Sequence, residues 1–161
     1  MPDTPVLTLD QLRDHWSGHR RLTRRVIEAF PSDDAFATFS VGGMRPAADL
    51  VGELLRMDVP ILRGVATGEW GASPAGWRDE APPATRDEAL AAWDASTEAF
   101  DALWPDLDAA SFQATHNAFG QWEGPGHWQV LYAIDNQVHH RAQMYVYLRA
   151  LGVEPPPFYE R

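Results

Sequence analysis

The stretch HWQVLYAIDNQVHHRAQMYVYLRAL, residues 127–151, decides how this chain folds. It contains no proline and no glycine, and Gly152 follows it directly, which is typical of a helix C-terminus. Within residues 127–148 only Asp135 and Arg141 are formally charged, so this predicted helix lacks the broad charged face of a surface helix. We therefore predict a long helix that is covered on most of its sides.

Residues three and four apart in this segment form two opposite faces. One face is apolar (Leu131, Ile134, Val138, Ala142, Tyr145 and Leu148), and the other is polar and aromatic (Tyr132, Asn136, His140, Gln143 and Tyr147). A helix of a single bundle normally buries one stripe, so two hidden faces indicate a second chain. We predict a homodimer to whose interface this helix contributes.

Three further helices are predicted before it. The first begins at the capping box Thr8–Gln11, the second at Pro46, and the third at the capping box Thr85–Glu88. A loop rich in glycine and proline, Gly64–Pro83, makes a long crossover between helices two and three. No strand-length alternation competes with this pattern, so we predict an all-α four-helix bundle that forms one domain over residues 1–161.

Two expectations concern details of these helices. Four arginines of the first helix, Arg20, Arg21, Arg24 and Arg25, fill the side away from its apolar stripe, and we interpret them as a solvated face. Pro60 is predicted to kink or fray the second helix near its end, because proline lacks the backbone N–H that a helix interior uses.

The composition excludes several classes of chemistry. The 161 residues include no cysteine, which removes disulfides, thiolate nucleophiles, zinc fingers and iron-sulfur clusters. All 13 cationic side chains are arginine, which excludes a Schiff-base lysine and a P-loop lysine. The formal net charge of -10 repels phosphate backbones, so we expect no nucleic-acid partner.

The N-terminal segment MPDTPVLTLD lacks the basic and apolar regions of a signal peptide, and no run of about eighteen apolar residues occurs. We expect a cytoplasmic protein without a membrane partner.

Glu53 is the first candidate functional residue, because it lies within the apolar stripe of the second helix, one helical step from Leu50 and Met57. An isolated buried carboxylate is costly, so Glu53 needs a partner or a cation. On the fourth helix, Asn136 and His140 are four residues apart, which lets two side chains converge on one ion or ligand. A buried histidine that is hydrogen-bonded to a glutamate explains the same pattern equally well.

Three more residues are candidates for lining a pocket beside this group. Tyr132 and Gln143 share the helix face of His140, and we predict that they line the approach to it. His15 and His19 have metal-ligand spacing, but His15 lies toward the arginine-flanked side, so we do not interpret the pair as a metal site. His19 alone lies on the core stripe and is predicted to approach the central pocket.

The segment Asp135–Gln143, followed by Tyr147-Leu148-Arg149, Gly152 and Pro155-Pro156, resembles the C-terminal signature of the DinB/YfiT-like family, usually H-x-x-H-H-R-G-Q and then YLR, G and PP. The likeness extends over nearly the whole chain, since the first-helix tryptophan and residues 44–70 also resemble this family. It implies an up-down-down-up four-helix bundle, usually dimeric. In that bundle three histidines, one on helix two and two on helix four, hold a divalent metal.

By this resemblance, His140 matches the second histidine of the helix-four pair, Asn136 stands in the place of the first, and Glu53 stands where the helix-two histidine is expected. The resemblance implies that these three residues bind the metal, and we expect Glu53 and His140 to be catalytic. Glutamate is a competent ligand for zinc, nickel, manganese or iron, whereas an asparagine carbonyl is a weak one. In the alternative the site holds no metal and Glu53 orients His140 as a general base.

Two functions are left open. Members of the family include hydrolases and thiol S-transferases, so the first hypothesis is a metal-dependent enzyme of one of these types with an altered Glu, Asn and His site. The second is a non-enzymatic dimeric bundle that has lost the metal and acts as a small-molecule-binding or stress-response protein. The residues do not specify the small molecule in either case.

Overall fold

The computed structural model describes residues 6–71 and 81–161. Four long helices make up most of it: α1 (Leu9–Glu28), α3 (Ala47–Thr67), α4 (Arg86–Leu103) and α6 (Gly126–Ala150). The shorter elements are α2 (Asp33–Thr38), a 3-10 turn (Trp104–Asp106), α5 (Ala109–Gln113), β1 (Thr115–Ala118) and β2 (Trp122–Pro125). The protein is therefore mostly helical, as predicted, but it is not purely α-helical. None of the helices in these two described ranges is both long enough and apolar enough to cross a bilayer.

Two of the predicted helix starts are confirmed by their capping contacts. Thr8 accepts a hydrogen bond from the backbone of Gln11, whose side chain in turn accepts one from the backbone of Thr8. Thr85 accepts a hydrogen bond from the backbone of Glu88 in the same way. Each contact satisfies a backbone donor that has no partner within the first helical turn.

The long helices pack so that α1 and α3 each contact both α4 and α6. Buried apolar side chains fill the space between them in two groups. One group lies near the hairpin and includes Trp16, Ile61, Phe100, Phe119 and Val130. The other lies toward the opposite end and includes Phe30, Leu50, Trp93, Met144 and Leu148.

Helix α3 continues past Pro60 without a break and ends at Thr67, which corrects the prediction that the loop begins at Gly64. Gly68 then stops the helix in the left-handed conformation, with a φ of 80°. The turn that follows Pro60 is retained because its side chains, Ile61, Leu62 and Val65, are buried in the core. This burial offsets the one hydrogen bond that proline cannot donate. Within the predicted crossover Gly64–Pro83, residues 72–80 lie outside the described residues.

A two-stranded antiparallel hairpin, absent from the prediction, precedes α6. Thr115 pairs with Pro125 at its open end, and Ala118 pairs with Trp122 next to the turn. At the turn Phe119 has a φ of 53°, a conformation that is unfavourable for a bulky side chain, and Gly120 follows with a φ of 72°. Four-residue strands are too short to produce a recognisable alternation, which is why the sequence did not reveal them.

The buried face of α6 differs from the predicted apolar face. Leu131, Val138 and Ala142 are exposed, whereas the polar side chains of Gln137 and Arg141 are buried. Gln137 is buried because it accepts a hydrogen bond from the Trp16 indole at 3.1 Å and donates one to Thr23 at 2.8 Å on α1. Hydropathy assigns polar residues such as Gln137 and Arg141 to the surface. The predicted buried face therefore left them out and included the exposed residues Leu131, Val138 and Ala142.

Candidate functional site

Two rows of side chains face each other where α3 packs against α6. The row on α3 is Glu53, Met57 and Ile61, and the row on α6 is Tyr132, Asn136 and His140. His140 contacts Glu53, and the next residue of its row, Asn136, contacts both Glu53 and Met57. The structure thus brings together Glu53, Asn136 and His140, the three residues that the sequence singled out.

The carboxylate of Glu53 is contacted by three donors. Its Oε1 accepts a hydrogen bond from His140 Nε2 at 2.9 Å and a longer one from Asn136 Nδ2 at 3.4 Å. Its Oε2 forms an ion pair with Arg45 Nη1 at 2.6 Å. The backbone of Arg45 is held in turn, because its carbonyl accepts a hydrogen bond from the Tyr147 hydroxyl at 2.8 Å. Arg45 precedes α3, in a loop that contains no recognisable functional motif.

This environment lowers the pKa of Glu53 to about 2. The hydrogen bond from His140 is the largest cause, and the hydrogen bond and charge of Arg45 act in the same direction. Partial burial opposes them, because it disfavours the charged form. Glu53 is therefore ionised at neutral pH and needs a positively charged or donating neighbour to remain in this half-buried position.

The hydrogen bond to Glu53 determines which nitrogen of neutral His140 carries its proton. An ionised carboxylate can only accept, so the proton lies on Nε2 and Nδ1 presents a lone pair. Nδ1 lies 3.5 Å from the side-chain oxygen of Gln143, and the amide nitrogen of Gln143 lies 3.0 Å from Nε2 of His139. Turning the Gln143 amide by half a rotation would let it donate to Nδ1, which is the orientation that neutral His140 favours.

An apolar cavity of about 170 Å³ adjoins this polar group at the hairpin end of the two rows. Met57, Ile61 and Tyr132 form its near wall, so the predicted pocket residue Tyr132 does line a pocket. Gln143 lies against His139 and His140 instead. Polar contacts and an apolar cavity therefore follow one another along the same pair of helices.

His19, by contrast, is not brought to this group. Its Nδ1 accepts a hydrogen bond from Arg141 Nη2 at 2.8 Å, and its Nε2 lies 3.2 Å from His15 Nε2. Burial, followed by the charge of Arg141, lowers the pKa of His19 to about 4. His19 is thus a neutral, hydrogen-bonded residue of the contact between α1 and α6.

A second buried polar group, which the sequence did not reveal, joins α1, α3 and α4. Arg20 pairs with Asp58 at 3.0 Å, and each of the two side chains is 1% exposed. Arg20 also donates to Ser96 and Thr97, and its guanidinium lies 4.6 Å from the ring centre of Trp93. The expectation that Arg20 belongs to a solvated face is therefore wrong, because acceptors on two other helices and an aromatic ring replace water around it.

A divalent cation fits the Glu53, Asn136 and His140 donor set poorly. Both oxygens of Glu53 already accept from other residues, and the Arg45 guanidinium places a positive charge 2.6 Å from one of them. Asn136 directs its amide nitrogen, and not its oxygen, toward the carboxylate. Within residues 6–71 and 81–161, no three histidine, aspartate or glutamate side chains are arranged to hold a metal ion. A cation would have to displace Arg45 and turn the Asn136 amide.

Comparison with known proteins places the chain in a family. The sequence matches the DinB family over residues 1–161. A DinB-like protein from Bacillus subtilis has the same fold, with a TM-score of 0.74 at 19% identity over 94% of this chain and 99% of that one. A second, from Bacillus cereus, has a TM-score of 0.76 at 17% identity over 96% of this chain and 100% of that one. No curated protein matches significantly.

The chain belongs to the DinB family. At these low identities the two solved structures establish a shared fold and no shared activity.

Proposed function

We propose that this DinB-family protein is an enzyme that acts on a small organic molecule, with His140 as the general base and Glu53 as the residue that orients it. The observation that carries the proposal is the 2.9 Å hydrogen bond from His140 Nε2 to Glu53 Oε1. An apolar cavity begins one helical step from Glu53, at Met57. A carboxylate that accepts from Nε2 leaves the lone pair of the imidazole on Nδ1, which takes a proton once the Gln143 amide, 3.5 Å away, turns aside.

The chemistry requires little beyond these two residues. Nδ1 of His140 takes a proton from water or from a substrate thiol, and the oxygen or sulfur then forms a bond to an electrophilic carbon of the substrate. The leaving group departs with its electron pair and receives the proton back from Nδ1. Glu53 remains ionised throughout, because its pKa is about 2, and stabilises the imidazolium that forms in between. Hydrolysis and thiol transfer are both reactions of this kind.

The experiment compares the rates at which wild-type protein and variants hydrolyse p-nitrophenyl acetate and couple a thiol to 1-chloro-2,4-dinitrobenzene. His140→Gln should lower kcat/KM by about 10² to 10⁴, because general-base catalysis contributes about that factor. His15→Gln is the control, since His15 is an exposed histidine on α1 that contacts His19 and not the Glu53 and His140 pair. Equal rates for wild type and His140→Gln on every substrate would contradict the proposal and favour a non-catalytic small-molecule binder.

A substrate-independent measurement addresses the same geometry. Nitrogen-15 resonances of the neutral form of His140 should show the ring protonated at Nε2 and unprotonated at Nδ1, because Nε2 donates to Glu53. Glu53→Gln should leave this preference weaker, since an amide oxygen is a poorer acceptor than a carboxylate. The opposite tautomer in the wild type would remove the free lone pair on which the mechanism depends.

The metal-dependent hydrolase or thiol S-transferase predicted from the sequence is the second candidate. One observation favours it: Asn136 and His140 both contact the same oxygen of Glu53, so three side chains meet around one point. Arg45 lies on the surface with a half-exposed side chain, which gives it room to move away from the carboxylate. Metal content therefore distinguishes the two candidates.

Two further proposals concern architecture. The first is the up-down-down-up order of the long helices. A parallel α1 and α6 is supported by the contacts of Trp16 with Gln137 and of His19 with Arg141. An antiparallel α3 and α6 is supported by the contacts of Glu53 with His140 and of Met57 with Asn136. An antiparallel α1 and α4 is supported by the contacts of Arg13 with Asp101 and of Arg24 with Asp94.

The second is a homodimer. Its support is the row of exposed apolar residues that α6 presents at helical spacing, Leu131, Val138, Ala142 and Val146.

A further inference from the structure

The cavity beside the Glu53 and His140 pair is built almost entirely from apolar and aromatic groups. It lies between α3, the hairpin and the first turns of α6, and it has a volume of about 170 Å³. Its two polar side chains are Gln129 and Tyr132. Gln129 is already engaged, because its amide donates to the carbonyl of Trp122 at 3.2 Å. The interior of the cavity therefore favours an apolar group over a polar one.

The volume limits the size of that group. A dry engineered cavity of about 150 Å³, lined by aliphatic and aromatic side chains, binds benzene. A cavity of about 170 Å³ is accordingly matched to one six-membered ring or to a branched alkyl group of similar size. Two linked rings would exceed it.

The cavity also lies at a defined distance from the reactive pair. Met57 is one helical step from Glu53 on α3, about 6 Å along the axis at 1.5 Å per residue, and it forms part of the cavity wall. Its sulfur lies 3.5 Å from the amide nitrogen of Asn136, which also contacts Glu53. A ring held against Met57 would therefore be joined to a polar group at Asn136, the neighbour of His140 in its row, by a chain of only two or three atoms.

The outer walls are fixed by close packing at the hairpin. The ring of Phe119 packs against Trp70 at 5.4 Å and Trp122 at 6.3 Å, and this packing supports the unfavourable φ of 53° at Phe119. Gly124 allows the indole of Trp128 to lie against the hairpin, because a Cβ at this position would clash with the ring. Trp122, Trp128 and Tyr132 are each about half exposed, so aromatic rings surround the mouth.

We infer that this cavity is the binding site for the apolar part of the substrate, a single aromatic ring or a compact branched alkyl group. The ligand class is an arylalkyl or branched-alkyl compound in which two or three chain atoms separate the ring from a polar, reactive group beside Asn136. The inference rests on the proposed function for the role of the ligand as a substrate. The affinity of the cavity for a ring is a separate property, which a probe without a reactive group measures.

The test uses ethylbenzene as the apolar probe and 3-phenylpropanol as the probe with a polar end. Ring currents from either probe should shift the methyl resonances of Met57, Ile61 and Ala118, which line the cavity. The methyl of Met144, in the other core group, serves as the internal control. If ethylbenzene leaves the three methyl resonances unchanged, the inference is overturned, whatever esterase activity the protein has.

Substitutions of residues that line the cavity test whether ethylbenzene binds there. Ala118→Leu fills the cavity and should weaken ethylbenzene binding by at least about tenfold. Should overpacking unfold that variant, Trp128→Ala provides a second test, because it removes a half-exposed wall residue. Leu131→Ala is its matched control, since Leu131 has similar exposure on the same helix and lies outside the cavity lining. Equal affinity in the Trp128→Ala and Leu131→Ala variants would contradict this site.

The two proposals can fail independently. Asn136→Ala should weaken 3-phenylpropanol binding severalfold and leave ethylbenzene binding within about twofold, because the amide lies at the polar end of the cavity. If both probes bind as described and no substrate is turned over, the cavity site stands and the proposed general base is wrong. If both variants of the cavity wall bind ethylbenzene like the wild type, the cavity site is wrong and the general base is unaffected.

Discussion

Glu53 and His140 connect α3 to α6 through a 2.9 Å hydrogen bond, yet the two side chains are unequally covered, at 23% and 6% exposed. Arg45 holds the other oxygen of Glu53 from the solvent side. The loss of either partner should therefore have unequal consequences for stability.

The first prediction concerns these two residues. His140→Ala should lower the free energy of unfolding by about 1 to 3 kcal/mol, because it removes a buried ring and a donor to an ionised group. Glu53→Gln should cost about 1 kcal/mol or less, because the amide oxygen still accepts from His140 and Arg45 can turn to water. Urea unfolding of both variants at neutral pH gives the comparison. A greater loss for Glu53→Gln would indicate that His140 is protonated in the folded protein.

The second prediction concerns the buried ion pair. Arg20→Met should lower the free energy of unfolding by about 3 to 5 kcal/mol, because it leaves Asp58 in the core without its cation. Arg24→Met is the control on the same helix, where the partner Asp94 is exposed, and it should cost less than about 1 kcal/mol. Thermal and urea unfolding of the two variants should differ accordingly. Equal losses of unfolding free energy in the two variants would show that removing the cation of the buried pair costs no more than removing the cation of the exposed pair.

The third prediction concerns pH. Burial raises the pKa of Asp58 to about 7, against the opposing charge of Arg20. An acid with a raised pKa in the folded state contributes stability that is fully present below its unfolded value of 3.8 and is lost as the pH rises through about 7. The stability of the wild type relative to Asp58→Asn should therefore fall between about pH 4 and about pH 7.

Unfolding of the wild type and of Asp58→Asn between about pH 4 and about pH 7 measures the difference in stability. The comparison with Asp58→Asn is necessary because the contribution of His19 to stability changes with pH in the opposite direction. Its pKa is lowered to about 4, so its contribution is lost as the pH falls from 6.5 toward that value. Glu53 contributes in a lower range, from 4.5 down to about 2. A pH-independent difference between wild type and Asp58→Asn would mean that Asp58 is charged throughout.

The fourth prediction concerns metal. Elemental analysis of protein purified without an affinity tag should find less than one zinc, nickel, manganese or iron ion per chain, because Arg45 competes for Glu53. Asn136→His should bind more, since it adds an imidazole ligand, and combining it with Arg45→Ala should increase binding again. Stoichiometric metal in the wild type would favour the metal-dependent candidate over the general base.

The fifth prediction concerns assembly. Sedimentation at micromolar concentration should give twice the chain mass of 18.0 kDa. Val138→Glu should shift the protein toward monomer, because it places a charge within the exposed apolar row of α6. Leu7→Glu is the control, as Leu7 is an exposed apolar residue distant from this row in the sequence. A monomeric wild type would contradict the proposed interface.

The long helices and their starts could be predicted from the sequence, because caps such as Thr8 and Thr85 are local signals. The convergence of Asn136 and His140 followed from their spacing. Their meeting with Glu53 followed from the resemblance to a family, since spacing within one helix does not show which helix lies opposite.

Other features depend on contacts between distant segments and could not be predicted. Arg20 and Gln137 are polar residues that tertiary partners allow into the core, so their burial contradicts hydropathy. Arg45 reaches Glu53 from a loop without a motif. The cavity exists only because the hairpin that carries Phe119 folds back onto α3 and α6, and its strands were too short to recognise.

The pairing of Arg20 with Asp58 also has a consequence for how the chain selects one alignment of its helices. Apolar side chains that recur every turn would tolerate a slide of α1 along its neighbours by one turn, about 5.4 Å. Such a slide would separate Arg20 from Asp58, Ser96 and Thr97 and leave two ions in the core without partners. The pair therefore penalises the shifted alignments more than it stabilises the native one, and it fixes the frame in which Glu53 and His140 meet.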